Sequence, residues 1–356
     1  MLYFLISLLG LGIIIFLHEL GHFIMARRHN VAVEELGFGY PPRLFSFKKN
    51  GIVYSINAIP FGGFTKIVEY GDENSFAAQS LGKRASVLIA GVFANLVIAL
   101  LIFTILFSIG MPVFALPLSF QDKAVSRVVI QEVAEDSPAF RAGLEVGDVI
   151  LGIKYLGDYY SVSKIQDVQE KTAELEGRKI QLVIERQGNE VEIEVGLRQA
   201  AEAEEGYLGV VLTEEGSLRY PILEAPKQAL FLFWALTEET IVGLGKVFVN
   251  LFTHANLEGL TGPVGIMAIA TKGFQWGWDY GLYILGIISF GFGLFNLLPI
   301  PAVDGGRILF LAIEKIRQRP IAQKTEVLIN NIFFSLLIIL LFIVTIKDIN
   351  FFILRG

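Results

Sequence analysis

The segment that decides the fold is residues 1–30, MLYFLISLLGLGIIIFLHELGHFIMARRHN. Residues 2–17 carry no charge, and the apolar run resumes after the pentapeptide HELGH at residues 18–22. A helix needs about 20 apolar residues to cross a hydrocarbon core of ~30 Å. An ionisable side chain within such a helix is energetically expensive and is therefore a candidate functional group. The segment predicts a membrane-spanning helix with reactive side chains near one end.

The rest of the chain repeats this apolar pattern. With 53% hydrophobic residues and a mean hydropathy of +0.58, the composition is too apolar for an ordinary soluble protein. The chain has no cysteine, which excludes disulfides and cysteine-based metal sites. The apolar runs long enough to cross a membrane are 2–25, 86–109, 281–299 and 331–346, with a weaker run at 228–253. We predict a polytopic α-helical membrane protein with about four transmembrane helices, at 1–26, 85–110, 280–300 and 330–347.

Charge sets the expected orientation of these helices. Basic residues outnumber acidic ones in 26–84 and in 303–329, whereas 111–225 is rich in Asp and Glu. Because Lys and Arg are retained on the cytoplasmic side, the two basic segments should be cytoplasmic and 111–225 should lie outside. The first helix lacks a basic leader and a small-residue cleavage site, so we expect it to be retained and not removed as a signal peptide.

The pentapeptide has the spacing of a metal site. On a helix, His18 and His22 share a face and lie about 6 Å apart along the axis. They can bind one metal ion together, with Glu19 beside them to take a proton from water, as in H-E-x-x-H metalloproteases. The alternative is that both histidines only hydrogen-bond neighbouring helices. Three ionisable groups together in one membrane span favour the metal site.

A catalytic zinc ion needs a third protein ligand. The remaining histidines are His29, expected to be solvated beyond the helix end, and His254, which falls in a predicted loop. Asp304, within NLLPIPAVDGGR at 296–307, is the better candidate, because prolines there break the helix near the membrane boundary. Irregular backbone at membrane depth is tolerated only where protein covers it or water reaches it. The two glycines after Asp304 leave room for close approach.

The motifs together resemble those of the site-2 protease family of intramembrane zinc metalloproteases. HELGH at 18–22 and NLLPIPAVDGG at 296–306 carry the resemblance, which is strongest to the bacterial branch of the regulator-of-sigma-E-protease type. IPFGGFTK at 59–66, AGVFAN at 90–95 and TGPVGI at 261–266 are similar to further motifs of that branch, so the resemblance covers nearly the whole chain.

The resemblance implies a role for each residue of the site. His18, His22 and Asp304 would hold Zn2+, and Glu19 would be the general base. Asn296 would contact the substrate backbone or the developing oxyanion, with an interhelical hydrogen bond as the alternative.

These ligands constrain the topology. With four spans, the ends of the helices that carry His18 and Asp304 face the same, cytoplasmic side. A further crossing at 228–253 would place Asp304 on the face opposite His18. We therefore expect this run to be an amphipathic helix on the outer face of the membrane, within a connecting region at 201–279. Glu238 and other charged residues interrupt its apolar pattern.

Short β patterns separated by turn signals indicate an α+β domain at 120–200, outside the cytoplasm. DSPAFRAGLEVGDVI at 136–150 resembles a PDZ domain of the bacterial, permuted kind, which captures extended segments or free C-termini by strand addition. YLGV at 207–210 looks like a carboxylate-binding loop, but we interpret it as a linking strand because it follows the domain. The expected strands are Val125–Glu132, Asp148–Lys154, Lys179–Arg186 and Glu190–Leu197, with a helix at Ser163–Leu175.

A second β pattern lies on the cytoplasmic side. Glycines and prolines punctuate residues 27–84, which predicts a small membrane-associated β-hairpin region. In the family, such a region is thought to present an edge strand to the unwound substrate. The Asp-Gly motif and a further cytoplasmic segment complete this side at 301–329.

The resemblance implies an intramembrane zinc metalloprotease of the bacterial inner membrane, with its active site toward the cytoplasm and its PDZ domain extracytoplasmic. Expected partners are the lipid bilayer, single-span membrane protein substrates (anti-sigma factors or remnant signal peptides) and an upstream site-1 type protease. No nucleic-acid partner is expected. The alternatives are a non-catalytic PDZ adaptor, which has no need for ionisable residues in the membrane, and a metal transporter. A transporter needs polar groups along several spans, and 86–109 and 331–346 offer almost none.

Overall fold

The computed structural model describes residues 1–112, 116–117, 120, 125–186, 189–199, 206–254 and 259–352. The chain forms two compact units, one of residues 1–108 and 221–356 and the other of residues 109–220. The helices are α1 Leu2–Arg28, α2 Leu81–Ile109, α3 Pro138–Ala142, α4 Ile165–Glu174, α5 Ala225–His254, α6 Pro263–Trp276, α7 Trp278–Leu297, α8 Asp304–Arg317 and α9 Gln323–Phe352. The strands are β1 Val33–Lys49, β2 Ile52–Ile67, β3 Met111–Pro112, β4 Val125–Val133, β5 Val149–Tyr155, β6 Asp158–Ser161, β7 Lys179–Arg186, β8 Asn189–Gly196 and β9 Val210–Leu218.

Four helices of the first unit are long and apolar enough to cross a membrane, namely α1, α2, α7 and α9. They contain the four strong apolar runs of the sequence. Only 6% of the most apolar window of α9 is buried within the protein, so this helix needs an apolar solvent around it. The weaker run at 228–253 lies in α5, a continuous helix that is not among these four in the described part of the chain.

Small residues let the helices of the first unit approach closely. A Cβ atom added at Gly21 of α1 would collide with the carbonyl oxygen of Ala90 in α2. The Ser289 hydroxyl of α7 donates to the backbone carbonyl of Asn95 in α2 over 2.9 Å. These contacts place α1 and α7 against α2 and so fix the walls of the candidate site.

A buried carboxylate joins α9 to the start of α6. Asp348 is 2% exposed, and its Oδ2 accepts the backbone N–H groups of Gly262 and Gly265 over 2.9 and 2.8 Å. An anion at a helix N-terminus is stabilised by the free N–H groups and by the helix dipole. A side chain at either glycine would crowd this carboxylate, which explains both glycines of the TGPVGI motif.

The β pattern predicted at 27–84 corresponds to β1 and β2, which fold back on each other. Residues 35–38 pair with 53–56 on one side, 33–38 pair with 63–67 on the other, and 43–49 pair with 52–57. The result is a small sheet of four segments from only two long, bent strands. Backbone of β2 lies directly on α1, because an added Cβ at Gly12 would collide with the carbonyl of Pro60.

The second unit is an antiparallel sheet with α3 and α4. Its strand order is β3-β9-β4-β5-β7-β8, and β6 pairs with β5. The core consists of fully buried aliphatic side chains from β4, β5 and β7, among them Ile130, Ile153 and Ile184. Asp148 is 1% exposed and receives two short hydrogen bonds from Arg186, both of 2.7 Å. This bidentate pair satisfies the buried carboxylate and fixes the turn before β5.

The sheet extends further along the chain than the sequence suggested. The domain predicted from the sequence ends at residue 200, with YLGV as a linking strand after it. In the structure, YLGV leads directly into β9, which pairs with β4 from Val210 opposite Val133 to Ser217 opposite Val125. Local patterns do not reveal this pairing, because it joins strands from opposite ends of the unit.

Candidate metal centre

One face of α1 carries both histidines of the pentapeptide. His18 and His22 are 4% and 8% exposed, and their Nε2 atoms are 3.1 Å apart. Their rings stand nearly perpendicular, at 89°, with centroids 4.6 Å apart. The spacing of four residues therefore produces the convergence that the sequence predicts.

Asp304 joins the two histidines from a distant part of the chain. Its Oδ2 lies 3.1 Å from Nε2 of His18 and 3.3 Å from Nε2 of His22. Asp304 is the first residue of α8, after an irregular segment. Added Cβ atoms at Gly305 and Gly306 would collide with the carbonyl oxygens of Leu298 and Ile300, so the Asp-Gly-Gly sequence lets α8 start against this segment.

The three ligand atoms fit a zinc ion. Tetrahedral Zn2+ with bonds of about 2.0–2.1 Å places neighbouring ligand atoms roughly 3.3 Å apart, close to the three distances above. Oδ2 of Asp304 is buried and makes no hydrogen bond of acceptable geometry within the described part of the chain, although two imidazole nitrogens lie near it. A buried carboxylate oxygen without a hydrogen bond is costly, and a metal ion would compensate it. His18, His22 and Asp304 together form a group that could hold a metal ion.

The backbone of α2 orients one of the rings. Nδ1 of His22 lies 2.8 Å from the carbonyl oxygen of Val87. A carbonyl only accepts, so Nδ1 carries the proton and Nε2 of His22 keeps its lone pair for a metal. One turn further along α2, Gly91 leaves space for the imidazoles. A Cβ atom there would lie 2.5 Å from Cε1 of His22 and 2.9 Å from Cε1 of His18.

Gly91→Ala is expected to weaken zinc binding at this site, because the new methyl group must push the His22 ring away from its position. We expect zinc affinity about 10-fold or more below the native value, as for other changes next to metal ligands. Chelator competition on purified protein measures this affinity. Gly82→Ala is the control, since an added Cβ at that position of α2 has nothing within 4 Å. Native zinc affinity in a folded Gly91→Ala protein would contradict the prediction.

The Glu19 side chain is held by the sheet of β1 and β2. Its Oε2 accepts the backbone N–H of Thr65 over 2.9 Å, and its backbone carbonyl accepts the Thr65 hydroxyl over 2.7 Å. These two hydrogen bonds hold Glu19, the residue after His18, against β2. Through this contact Thr65 helps to position the carboxylate of Glu19. The only sequence signal for it is the similarity of IPFGGFTK to a family motif.

The other residues considered in the sequence have different surroundings. Asn296 is 8% exposed, and its Nδ2 donates to the carbonyl of Phe292 in the same helix over 2.9 Å. The Phe292 ring in turn packs edge-on against His18, with centroids 5.3 Å apart. Nε2 of His29 lies 2.8 Å from the hydroxyl of Ser86, away from the three ligands. The side chain of His254 lies outside the described residues.

Comparison with known proteins agrees with this site. Residues 6–340 match the family described as peptidase family M50. The chain is 33% identical over 358 positions to a protein of Clostridium perfringens named as a candidate zinc metalloprotease, with 98% of this chain and 99% of that relative covered. It is 28% identical over 428 positions to the zinc metalloprotease RasP of Geobacillus kaustophilus, with 96% of each chain covered. The chain therefore belongs to peptidase family M50.

Proposed function

We propose that this protein hydrolyses peptide bonds within or near the transmembrane segment of single-span membrane proteins, using His18, His22 and Asp304 as zinc ligands and Glu19 as general base. The observation that carries the proposal is the convergence of three ligand atoms, two from the apolar helix α1 and one from Asp304 just after the apolar helix α7. As a member of its family the chain is a zinc metalloprotease of a bacterial membrane, and Zn2+ is the expected cofactor. The particular residues, substrates and topology are our proposal.

The side chains divide the chemical work. Zinc, when bound, acts as a Lewis acid and makes water a better nucleophile at neutral pH. Glu19 takes the proton of the attacking water and delivers it to the amide nitrogen as the C–N bond breaks. Its hydrogen bond from Thr65 holds one carboxylate oxygen and leaves Oε1 for this transfer. Asn296 would turn its amide from the carbonyl of Phe292 toward the substrate carbonyl.

The β region supports a role in holding the substrate. A peptide bond in a helix is shielded by its own hydrogen bonds, so the substrate must be extended before attack. Residues 63–67 of β2 pair with β1 along one edge. Thr65 on this segment contacts Glu19, which places the segment beside the proposed base. An extended substrate pairing with the other edge of 63–67 would present its backbone at the metal.

Topology follows from the ligands and the charges. His18 and Asp304 share one site, so the ends of α1 and α7 near it must lie on the same side of the membrane. Basic residues follow each of them, which supports the cytoplasmic side. α5 would then lie along the outer face, as the charged residues Glu238, Glu239 and Lys246 within its apolar sequence suggest.

The second unit supports a PDZ-like role outside the cytoplasm. YLGV precedes β9, and β9 pairs with β4 along one edge. Ile165 at the start of α4 donates its backbone N–H to Glu214 of β9 over 2.8 Å, which sets the helix beside that strand. A strand next to a helix is the groove in which such domains add a peptide strand. We propose that this unit excludes substrates whose outer domain is intact, after an upstream protease has shortened the others.

Membrane proteomics tests the function. Cells carrying Glu19→Gln should accumulate short single-span fragments that cells with the native protein remove. Glu73→Gln, at an exposed turn of the same unit, is the control and should not accumulate them. Equal fragment levels in native and Glu19→Gln cells, with equal amounts of protein, would count against intramembrane proteolysis. A third strain in which a short linker replaces residues 111–218, whose ends lie opposite each other in the sheet, should also degrade uncut substrates if the outer unit is a size filter.

The second candidate function is that of a non-catalytic adaptor that recruits partners. Only the PDZ-like second unit favours it. An adaptor would give the same fragment pattern in the native and Glu19→Gln strains. The proteomics comparison therefore separates the two functions.

A further inference from the structure

One face of α2 lies against both histidines and offers each ring a polar group near its Nδ1 atom. Val87, Gly91 and Asn95 are spaced by four residues, as are His18 and His22, so they form a matching row on the facing helix. Val87 offers its carbonyl to Nδ1 of His22, and Gly91 leaves space for the rings. Asn95 lies opposite His18, and its Nδ2 is 3.3 Å from Nδ1 of that ring.

The Asn95 amide leaves a buried atom without a hydrogen bond. Asn95 is 0% exposed, and its Oδ1 has no hydrogen-bond partner among the described residues. A half-turn of the amide exchanges Oδ1 and Nδ2, two atoms whose assignment depends on the hydrogen-bond network. Which of the two atoms faces His18 therefore depends on whether Nδ1 of that ring carries a proton or a lone pair.

Metal binding determines which nitrogen of the His18 ring carries the proton. A zinc ligand must offer the lone pair of Nε2, which obliges the ring proton to sit on Nδ1 and to find an acceptor. Nδ2 of Asn95 cannot accept, whereas Oδ1 in the turned orientation can. His22 already has such an acceptor in Val87. The hydroxyl of Ser289 holds the Asn95 backbone carbonyl, which anchors this turn of α2 against α7.

We propose that Asn95 is a positioning residue, whose Oδ1 accepts the Nδ1 proton of His18 and so leaves Nε2 of His18 free to bind zinc. This inference rests on the zinc site proposed above. It assigns the two α2 acceptors to different rings, the backbone of Val87 to His22 and the side chain of Asn95 to His18.

Zinc affinity of the full-length protein, purified in detergent and measured by chelator competition, tests the role. Asn95→Leu keeps the side-chain size but removes the acceptor, and its affinity should fall about 10- to 100-fold, the range seen when such partners are lost. Asn95→Asp keeps an acceptor and should bind zinc much more tightly than Asn95→Leu. Asn95→Ala repeats the loss of the acceptor without the bulk of leucine, in case Asn95→Leu does not fold. Ser108→Ala removes a hydroxyl from the same helix, where it donates to the backbone carbonyl of Thr104 away from the histidines, and should keep near-native affinity.

The outcomes separate this inference from the proposed function. A folded Asn95→Leu or Asn95→Ala protein with native zinc affinity overturns the positioning role. So does an Asn95→Asp protein as weak as Asn95→Leu, because the side chain would then act through packing alone. The double variant His18→Ala with His22→Ala tests the site itself. If that variant keeps zinc, the proposed site is wrong; if it loses zinc while Asn95→Leu keeps it, only the role of Asn95 fails.

Discussion

Replacing Glu19 by glutamine is expected to abolish peptide-bond hydrolysis while zinc stays bound. His18, His22 and Asp304 supply the ligand atoms, so the ion does not depend on the Glu19 side chain. Glutamine keeps the shape of glutamate and an oxygen that can accept the N–H of Thr65, so the contact with β2 should persist. It cannot take a proton from water. Loss of a general base lowers rates by about 10²- to 10⁴-fold.

Two measurements on the same purified sample check this expectation. Metal analysis should give native zinc content, and cleavage of a single-span model substrate in detergent or lipid vesicles should fall to background. Glu73→Gln, with its exposed side chain, should cleave at the native rate. Substantial cleavage by a zinc-loaded Glu19→Gln protein would remove Glu19 from the role of base. Loss of zinc would instead show that the carboxylate helps to hold the ion.

The local parts of the site follow from the sequence. The spacing of HELGH on an apolar run places His18 and His22 on one helix face, and the structure has their Nε2 atoms 3.1 Å apart. Helix periodicity alone determines this contact. The four apolar helices are likewise read from length and hydropathy, and four such helices are present in the described residues.

The parts that depend on helix packing do not follow from local pattern. Asp304 reaches the histidines only because α8 starts against the irregular segment after α7, at two glycines with no space for side chains. Val87 and Asn95 contact the rings because α2 packs on α1 at Gly21 and Gly91. Such contacts join residues far apart in sequence, so the periodicity of apolar residues along the chain cannot predict them. The prolines and glycines around Asp304 made it a candidate, and the family resemblance implied the same role. Neither assigned roles to Val87, Gly91 and Thr65.

The same limit applies to the unit of residues 109–220. Short β-rich segments between turn signals predict its interior strands close to their observed bounds, as for Lys179–Arg186. β9 has the sequence VVLTEEGSL, with weak alternation and two adjacent glutamates, and it reads as a connection. Pairing with β4 from the other end of the unit makes it a strand.

Asp304→Ala should lose both zinc and proteolysis, in contrast to Glu19→Gln. The carboxylate is the proposed third ligand, and its Oδ2 is the atom that lies within 3.3 Å of both imidazole nitrogens. Two histidines alone bind zinc far more weakly than three protein ligands, because zinc sites rely on ligand number and geometry. An acidic residue in the first turn also stabilises a helix by only about 0.3–1 kcal/mol, so α8 should still form. Alanine fits the helical position that Asp304 occupies.

Metal analysis after dialysis separates this result from simple misfolding. Asp304→Ala should retain little zinc, while its thermal unfolding in the presence of chelator should stay close to that of the native protein treated in the same way. Asp72→Ala, at an exposed loop of the same unit, should keep zinc and activity. Stoichiometric zinc in Asp304→Ala would mean that another residue is the third ligand. The convergence of Asp304 on the histidines would then be a packing contact, and the pairing of α8 with α1 would need another explanation.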